Sequence, residues 1–139
     1  MKEKYKSELG YKLPGGGVEK GEDLWAAAIR EVEEETGIKT KFLGIIAWRQ
    51  GHPFDSDHVT DLYFACLLEP ITDKITIQES EITEALWMPY NQFKTLAKNS
   101  CAQFLAAYEA IQYPQVLFKV TSDGSRSQVE LYAHPKTKT

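Results

Sequence analysis

Residues 16–38 read GGVEKGEDLWAAAIREVEEETGI, and this stretch decides how the whole chain is interpreted. It begins in a loop, because Pro14 is followed by three glycines, which allow backbone angles and close approaches that side chains forbid. A helix should follow. Glu22 suits its first turn, the alanines at 26–28 favour helix, and Gly37 is a natural C-terminal stop.

The predicted helix has two different faces. One should pack inward because its members recur at helical spacing: Trp25, Ala28, Ile29, Val32 and Thr36. The other gathers Glu31, Glu34 and Glu35 on adjacent turns, where like charges repel by about 0.2–0.5 kcal/mol per pair. A divalent cation would reverse that sign, because carboxylate oxygens are the ligands that Mg²⁺ and Mn²⁺ prefer.

The surroundings of these glutamates decide between a metal site and a solvated acidic face, which the glutamates alone would favour. From Gly16 the chain reads glycine, five residues, Glu22, seven residues, then Arg30-Glu-apolar-x-Glu-Glu-x-Gly-apolar. Seven fixed positions match by chance on the order of once per 10⁸ starting points. A P-loop would require Gly-Lys-Ser/Thr where 21–23 are Gly-Glu-Asp, and a dinucleotide-binding fingerprint would require glycine at Lys20.

This pattern is the Nudix box, and over residues 16–38 the chain resembles the Nudix hydrolase family. The resemblance implies a catalytic Mg²⁺ or Mn²⁺ bound by four groups: the carboxylates of Glu31, Glu34 and Glu35 and the backbone carbonyl of Gly15. It also implies supporting roles for three residues: Gly16, Glu22 and Arg30. Arg30 would orient the carboxylates from behind.

The hydrolysis implied by the resemblance requires a carboxylate that takes a proton from the attacking water. Glu35 is one candidate, and Glu34 is counted with it as a catalytic residue. Glu81, six residues before Trp87, matches a glutamate that assists the metal ions in some family members. An ordinary surface acid is the alternative for Glu81.

A weaker resemblance lies outside the box, in Trp48–His52, Asp61–Phe64 and Glu84–Pro89. These segments are similar to a subgroup with plant cytosolic ADP-ribose and NADH diphosphatases and the animal Nudix protein encoded antisense to a fibroblast growth factor. The similarity implies that Arg49 and His52 contact phosphate or ribose, although each also fits a loop or the edge of a core. We expect a Mg²⁺-dependent hydrolase of nucleoside diphosphates linked to another group, ADP-ribose or NADH first. The alternative is a non-catalytic domain that binds an ADP-ribose-like ligand or a protein.

The remaining chain alternates strand and helix patterns, which predicts an α/β protein. The strands expected from β-branched and aromatic residues are Phe42–Trp48, Asp61–Leu68, Ile75–Gln78, Leu86–Met88, Val116–Val120 and Gln128–Tyr132. A second helix is expected at 101–111. The resemblance implies a Nudix-type α/β/α sandwich with a mixed sheet, as one domain over 1–139. Because no apolar run precedes Gly16, we expect the N-terminal strand of that fold to be missing or truncated.

Composition limits the partners that we expect. The 139 residues carry a formal charge of −4, which gives no general attraction to nucleic acid. There is neither an apolar run of about 18 residues nor a signal-peptide pattern, so we expect a cytoplasmic protein without membrane contact. A nucleotide-type small molecule is the expected partner, and an unpaired sheet edge would favour a homodimer.

Overall fold

The computed structural model describes residues 1–3, 10–52, 60–96, 101–112, 119–121 and 128–130. Its elements, in chain order, are β1 (Lys2–Glu3), α1 (Leu24–Thr36), β2 (Thr40–Gly51), β3 (Asp61–Pro70), β4 (Ile82–Glu84), α2 (Tyr90–Leu96), α3 (Ala102–Gln112), β5 (Lys119–Thr121) and β6 (Gln128–Glu130). The predicted α/β class is confirmed. No helix in these ranges is both long and apolar enough to cross a membrane.

Helix α1 ends as the sequence predicts. Gly37 adopts the left-handed conformation, with φ 71°, and its N–H donates to Glu33 O at 2.7 Å. A side chain there would be strained, and a Cβ atom would lie 2.9 Å from Thr76 Cβ. Glycine is therefore required both by the turn and by the close neighbour.

The predicted inward face of α1 is wrong at Trp25, which is 51% exposed. The prediction is confirmed at Thr36, which is buried, and the other buried residues of the helix are Ala27 and Glu35. Two of these lie on or beside the acidic face. The glycine loop covers that face, since Gly15 N–H donates to the Glu35 carboxylate. The burial follows from this loop contact, which apolar periodicity does not encode.

Strands β2 and β3 form a hairpin. At one end Ile71 N–H donates to Lys39 O at 2.7 Å, and at the other Gly51 lies against Tyr63, so the two strands run antiparallel. The predicted strands Phe42–Trp48 and Asp61–Leu68 are confirmed within them. Pairs β1–β4 and β5–β6 are also antiparallel. A parallel pairing, which the expected mixed sheet requires, stays a prediction.

Two predicted strands are wrong. Ile75–Gln78 is not a strand, because its backbone binds the end of α1 instead: Thr76 N–H donates to Thr36 O at 2.8 Å. Leu86–Met88 is not a strand either, and Trp87 there is 56% exposed, with its indole N–H donating to Asp73 O at 2.8 Å. The strand lies earlier, at Ile82–Glu84, where it pairs with β1.

Of the remaining predictions, the helix at 101–111 is confirmed as α3, and the last two strands are confirmed in part, where β5 pairs with β6. The other predicted residues of those two strands, Val116–Phe118 and Leu131–Tyr132, lie outside the described residues. Helix α2 was not predicted. Its signal is Pro89, which fixes a helical φ at a helix start, and Phe93 N–H donates to Pro89 O at 2.9 Å.

Contacts divide the chain into two compact units. The first comprises Met1–Gly44 and Leu67–Ala102, and its buried apolar residues include Ile38 and Ile82. The second comprises Ile45–Cys66 and Gln103–Thr139. Its core contains a cluster of buried alanines, Ala47, Ala65 and Ala107, against which Ile46 and Phe104 pack.

Candidate active site

Arg30 is the centre of the acidic side of α1. Its Nε and Nη2 donate to the two carboxylate oxygens of Glu22, at 2.8 and 2.9 Å, and Nη2 also donates to Gly17 O at 3.0 Å. Two parallel bonds between a guanidinium and a carboxylate fix orientation as well as charge. Arg30 therefore joins α1 to the loop that precedes it.

The ion pair between Glu22 and Arg30 shifts both ionisations. The hydrogen bonds from Arg30 lower the pKa of Glu22 from 4.5 to about 2, and the N–H of Glu19 contributes to the same change. In turn, the hydrogen bonds that Arg30 makes with Glu22, and to a smaller extent with Glu31, raise the pKa of Arg30. Both groups therefore stay charged at neutral pH.

Glu31 and Glu34 share a single donor. Arg30 Nη1 donates to Glu31 Oε1 at 2.9 Å and to Glu34 Oε2 at 3.1 Å. The Glu31 side chain is 17% exposed, whereas that of Glu34 is 50% exposed. The two carboxylates thus already meet at one positive atom, with Glu34 open to solvent.

Gly16 makes room for the Glu31 carboxylate. A Cβ atom at Gly16 would lie 2.5 Å from Glu31 Cδ, closer than real Cβ contacts allow. Any larger residue here would push the Glu31 carboxylate, the far end of a flexible side chain, away from its contact with Arg30. This contact gives a physical reason for the first glycine of the box.

Glu35 is enclosed where Glu34 is open. It is 5% exposed, and its Oε2 accepts a hydrogen bond from Gly15 N–H at 2.8 Å. Its Oε1 lies 3.9 Å from Lys12 Nζ. Burial lowers the pKa of the Met1 amino group, and the charge of Glu35 acts against that decrease. The Glu35 carboxylate is thus held from one side by a backbone donor and from another by positive charge.

The structure ties Glu81 to the same helix through backbone contacts. Gln78 N–H donates to Glu35 O at 3.4 Å, and Glu81 N–H donates to Gln78 O at 3.1 Å. The side chain of Glu81 is exposed. Glu81 therefore follows a segment attached to the end of α1, and its catalytic role stays a prediction.

The three box glutamates lie on one helix but do not share one set of partners. Glu31 and Glu34 contact Arg30, and Glu35 contacts Gly15 and Lys12. Among the described residues, no three His, Cys, Asp or Glu side chains form a group that could hold a metal ion. The arrangement therefore brings the predicted ligands near each other without assembling a complete coordination site.

The predicted substrate-binding residues belong to the second unit. The Arg49 guanidinium lies over the Tyr63 ring, 4.3 Å from its centroid, and 5.6 Å from that of Phe104. Its buried Nε has no hydrogen-bond partner within the ranges that the structure describes. His52 Nδ1 is 3.4 Å from Thr60 Oγ1. A stacked guanidinium suits an anion or a planar ring, but substrate contact stays a prediction for both residues.

Lys12 contacts the site although the sequence pattern did not single it out. It lies four residues before Gly16, in a polar stretch without a motif. The available signal was weak: Tyr11-Lys12-Leu13 alternates in character just before the glycine loop, as an extended segment does. Only the fold of this segment shows that Lys12 reaches Glu35.

Comparison with known proteins gives consistent matches. A family model described as NUDIX domain matches residues 1–108. Nudix hydrolase 6 of Arabidopsis thaliana is 44% identical over 128 residues, covering 84% of this chain and 45% of that protein. Nudix hydrolase 7 of the same plant is 41% identical over 105 residues, covering 73% and 37%. Nucleoside diphosphate-linked moiety X motif 6 of Xenopus laevis is 36% identical over 89 residues, covering 63% and 41%. The chain therefore spans less than half the length of these relatives.

Proposed function

Because the chain belongs to the Nudix family, we propose that it is a hydrolase that cleaves the diphosphate of a nucleoside diphosphate linked to another group. One observation carries the proposal: Glu31 and Glu34 meet at a single cationic atom beside the glycine loop, with Glu35 one turn away from Glu31. Clustered carboxylates of this kind are costly on a helix unless positive charge lies between them. A role in binding cations explains why the helix carries them.

The donor set fits a divalent cation in kind. Carboxylate oxygens are hard ligands, and Gly16 leaves space at Glu31 that a larger residue would fill. Glu31, Glu34 and Glu35 would hold Mg²⁺ or Mn²⁺, and the carbonyl of Gly15 would be a further ligand. When bound, such an ion neutralises diphosphate oxygens and lowers the pKa of a water molecule.

The residues of the chain would divide the remaining tasks. Arg30 keeps Glu31 and Glu34 in place through its contacts with Glu22 and Gly17. Glu35, nearly enclosed, is the first candidate to accept a proton from water, with Glu34 and Glu81 as the others. In the second unit, Arg49 and His52 would contact phosphate or ribose.

ADP-ribose and NADH are the substrates that we propose first. The weaker sequence similarity outside the box supports them, and the name of the Xenopus laevis relative refers to a nucleoside diphosphate-linked moiety. We further propose one catalytic domain over residues 1–139, active in the cytoplasm and able to form a homodimer.

A substrate panel tests the proposal directly. The purified chain is incubated with ADP-ribose, NADH, NAD⁺ and nucleoside triphosphates, each with Mg²⁺ or Mn²⁺, and products are separated by anion-exchange chromatography. We expect AMP together with ribose 5-phosphate, or with reduced nicotinamide mononucleotide, as products. Absence of monophosphate from every substrate under both metals would contradict a hydrolytic function.

A second candidate is a domain that binds an ADP-ribose-like ligand without cleaving it, because Glu35 is held apart from the two glutamates that contact Arg30. Calorimetry with ADP-ribose in Ca²⁺ separates the two functions. Binding in Ca²⁺, followed by no cleavage when Mg²⁺ replaces it, would support the non-catalytic function. Cleavage in Mg²⁺ would exclude it.

A further inference from the structure

We propose that Lys12 is the exchangeable counter-cation of Glu35: it neutralises the carboxylate in the metal-free protein and contacts the diphosphate of the substrate once a divalent ion takes its place. This inference rests on the proposed function, because it assumes a cation at Glu35. It adds a residue outside the box to the site and assigns it an anionic ligand, a diphosphate.

The burial of Glu35 supplies the first step. A carboxylate that is 5% exposed is costly unless hydrogen bonds or opposite charge compensate it. Gly15 N–H compensates Oε2 at 2.8 Å, whereas Oε1 faces Lys12 Nζ at 3.9 Å. The Lys12 ammonium group therefore lies near the carboxylate oxygen, Oε1, that would bind a metal cation.

The backbone of Lys12 is held by hydrogen bonds to two other segments. Lys12 N–H donates to Met1 O at 3.0 Å, and the amino group of Met1 donates to Lys12 O at 2.8 Å. Tyr11 N–H, one residue earlier, donates to Leu96 O at 3.3 Å. From this anchored position the flexible four-carbon stem can move the ammonium group between neighbouring acceptors.

Arg30 offers a contrast that supports exchange at Lys12. Its guanidinium binds both oxygens of Glu22 as well as Gly17, Glu31 and Glu34, so moving it would break a network. The Lys12 ion pair is at the long end of the range for such contacts. The contact that a divalent ion would break at Glu35 is therefore longer, and so weaker, than any of the hydrogen bonds that Arg30 makes.

Exchange predicts two effects of opposite sign. An ammonium and a divalent ion compete for Glu35, so Lys12 weakens metal binding. The displaced ammonium then lies beside the anion that the metal recruits, so Lys12 strengthens binding of a diphosphate. A residue with only a structural role would weaken both.

The test measures both affinities at equilibrium in Lys12→Gln, with Lys41→Gln as the matched control. Lys41 is an exposed lysine on β2, so the control removes the same charge. We expect Lys12→Gln to bind Mn²⁺ about tenfold more tightly, as residues adjoining a metal ligand alter affinity on this scale. With Ca²⁺ present it should bind the methylene-bridged analogue of ADP about tenfold more weakly. Lys41→Gln should match the wild type in both.

Lys12→Met keeps the apolar stem of the side chain and replaces Lys12→Gln in the test if Lys12→Gln lowers the melting temperature. Lys12→Arg keeps the positive charge and should restore binding of the analogue. Unchanged or weakened Mn²⁺ binding in folded Lys12→Gln or Lys12→Met would overturn the proposal, as would an unchanged affinity of either variant for the analogue. Because both readouts are binding measurements, a wild-type protein that binds Mn²⁺ but cleaves nothing would refute hydrolysis and leave this test intact.

Discussion

The two sides of the acidic row on α1 are organised differently. On one side, Arg30 holds Glu22, Glu31 and Glu34 through hydrogen bonds of 2.8–3.1 Å. On the other, Glu35 is nearly buried between Gly15 N–H and a lysine at 3.9 Å. The first side resembles a framework that is complete without a ligand. On the second side, the positive charge lies farther from the carboxylate.

This difference indicates where chemistry should be most sensitive. The glutamates bound to Arg30 are aligned by a planar guanidinium that cannot lose its proton at any ordinary pH. Glu35 has a low-exposure environment, in which electrostatic interactions are stronger than in water. We therefore expect substitutions on the Glu35 side to affect turnover most, and substitutions on the Arg30 side to affect alignment and stability.

The largest expected effect is that of Glu35→Gln. The amide keeps the size of the side chain but removes the charge that would bind the cation and accept a proton. We expect turnover of the preferred substrate to decrease on the order of 10³-fold, the range for loss of a general base. Initial rates by coupled phosphate release measure it, with Glu33→Gln, an exposed acid on the same helix, as the control. Unchanged turnover in Glu35→Gln would remove Glu35 from the mechanism.

Arg30→Lys comes next. A lysine retains the charge but cannot bind both oxygens of Glu22 while also reaching Glu31 and Glu34. We expect Mn²⁺ affinity to decrease about 10- to 100-fold. Titration followed by electron paramagnetic resonance measures it. If Lys12→Arg proved as damaging to Mn²⁺ binding as Arg30→Lys, the contrast between the two sides would be wrong.

Gly16→Ala tests the contact between the loop and Glu31. The new methyl group would displace the carboxylate from its hydrogen bond with Arg30, and such a bond contributes about 1 kcal/mol. We expect a lower free energy of unfolding and weaker Mn²⁺ binding. Gly44→Ala is the matched control, because a Cβ atom there meets nothing within 4 Å. Equal stability of the two variants would show that Glu31 moves aside without cost.

The smallest expected effect concerns pH. Since Arg30 lowers the pKa of Glu22 to about 2 from 4.5, this carboxylate stabilises the folded state above pH 4.5, and the contribution is lost as pH falls through about 2. We expect the unfolding free energy of the wild type to exceed that of Glu22→Gln by a constant amount near neutral pH. The excess should shrink between pH 4.5 and 2, as urea denaturation can show. A difference independent of pH over that window would contradict the ion pair.

The sequence predicted the parts of the site that local spacing controls. Three glutamates at helical spacing and a terminal glycine place Glu31, Glu34 and Gly37 as the structure has them. It could not predict burial, which depends on segments distant in the chain. Trp25 is exposed although its periodicity pointed inward, whereas Glu35 is buried because the glycine loop folds over it.

The sequence also could not predict which extended segments would form hydrogen bonds outside a sheet. Residues 75–78 have the composition of a strand, yet they donate hydrogen bonds to the last carbonyls of α1. Composition reports a preference for extended backbone, and it does not report which acceptors that backbone meets. The contact of Lys12 was not predicted either, because its partner Glu35 lies 23 positions later in the sequence.

Titration of the wild-type chain with Mn²⁺, beside Glu31→Gln, Glu34→Gln and Glu35→Gln, tests the central idea most directly: that these side chains share bound cations. We predict saturable binding by the wild type that each substitution weakens, with the Glu35 variant weakened most. Binding that is absent from the folded wild type, or equal in all four proteins, would contradict it.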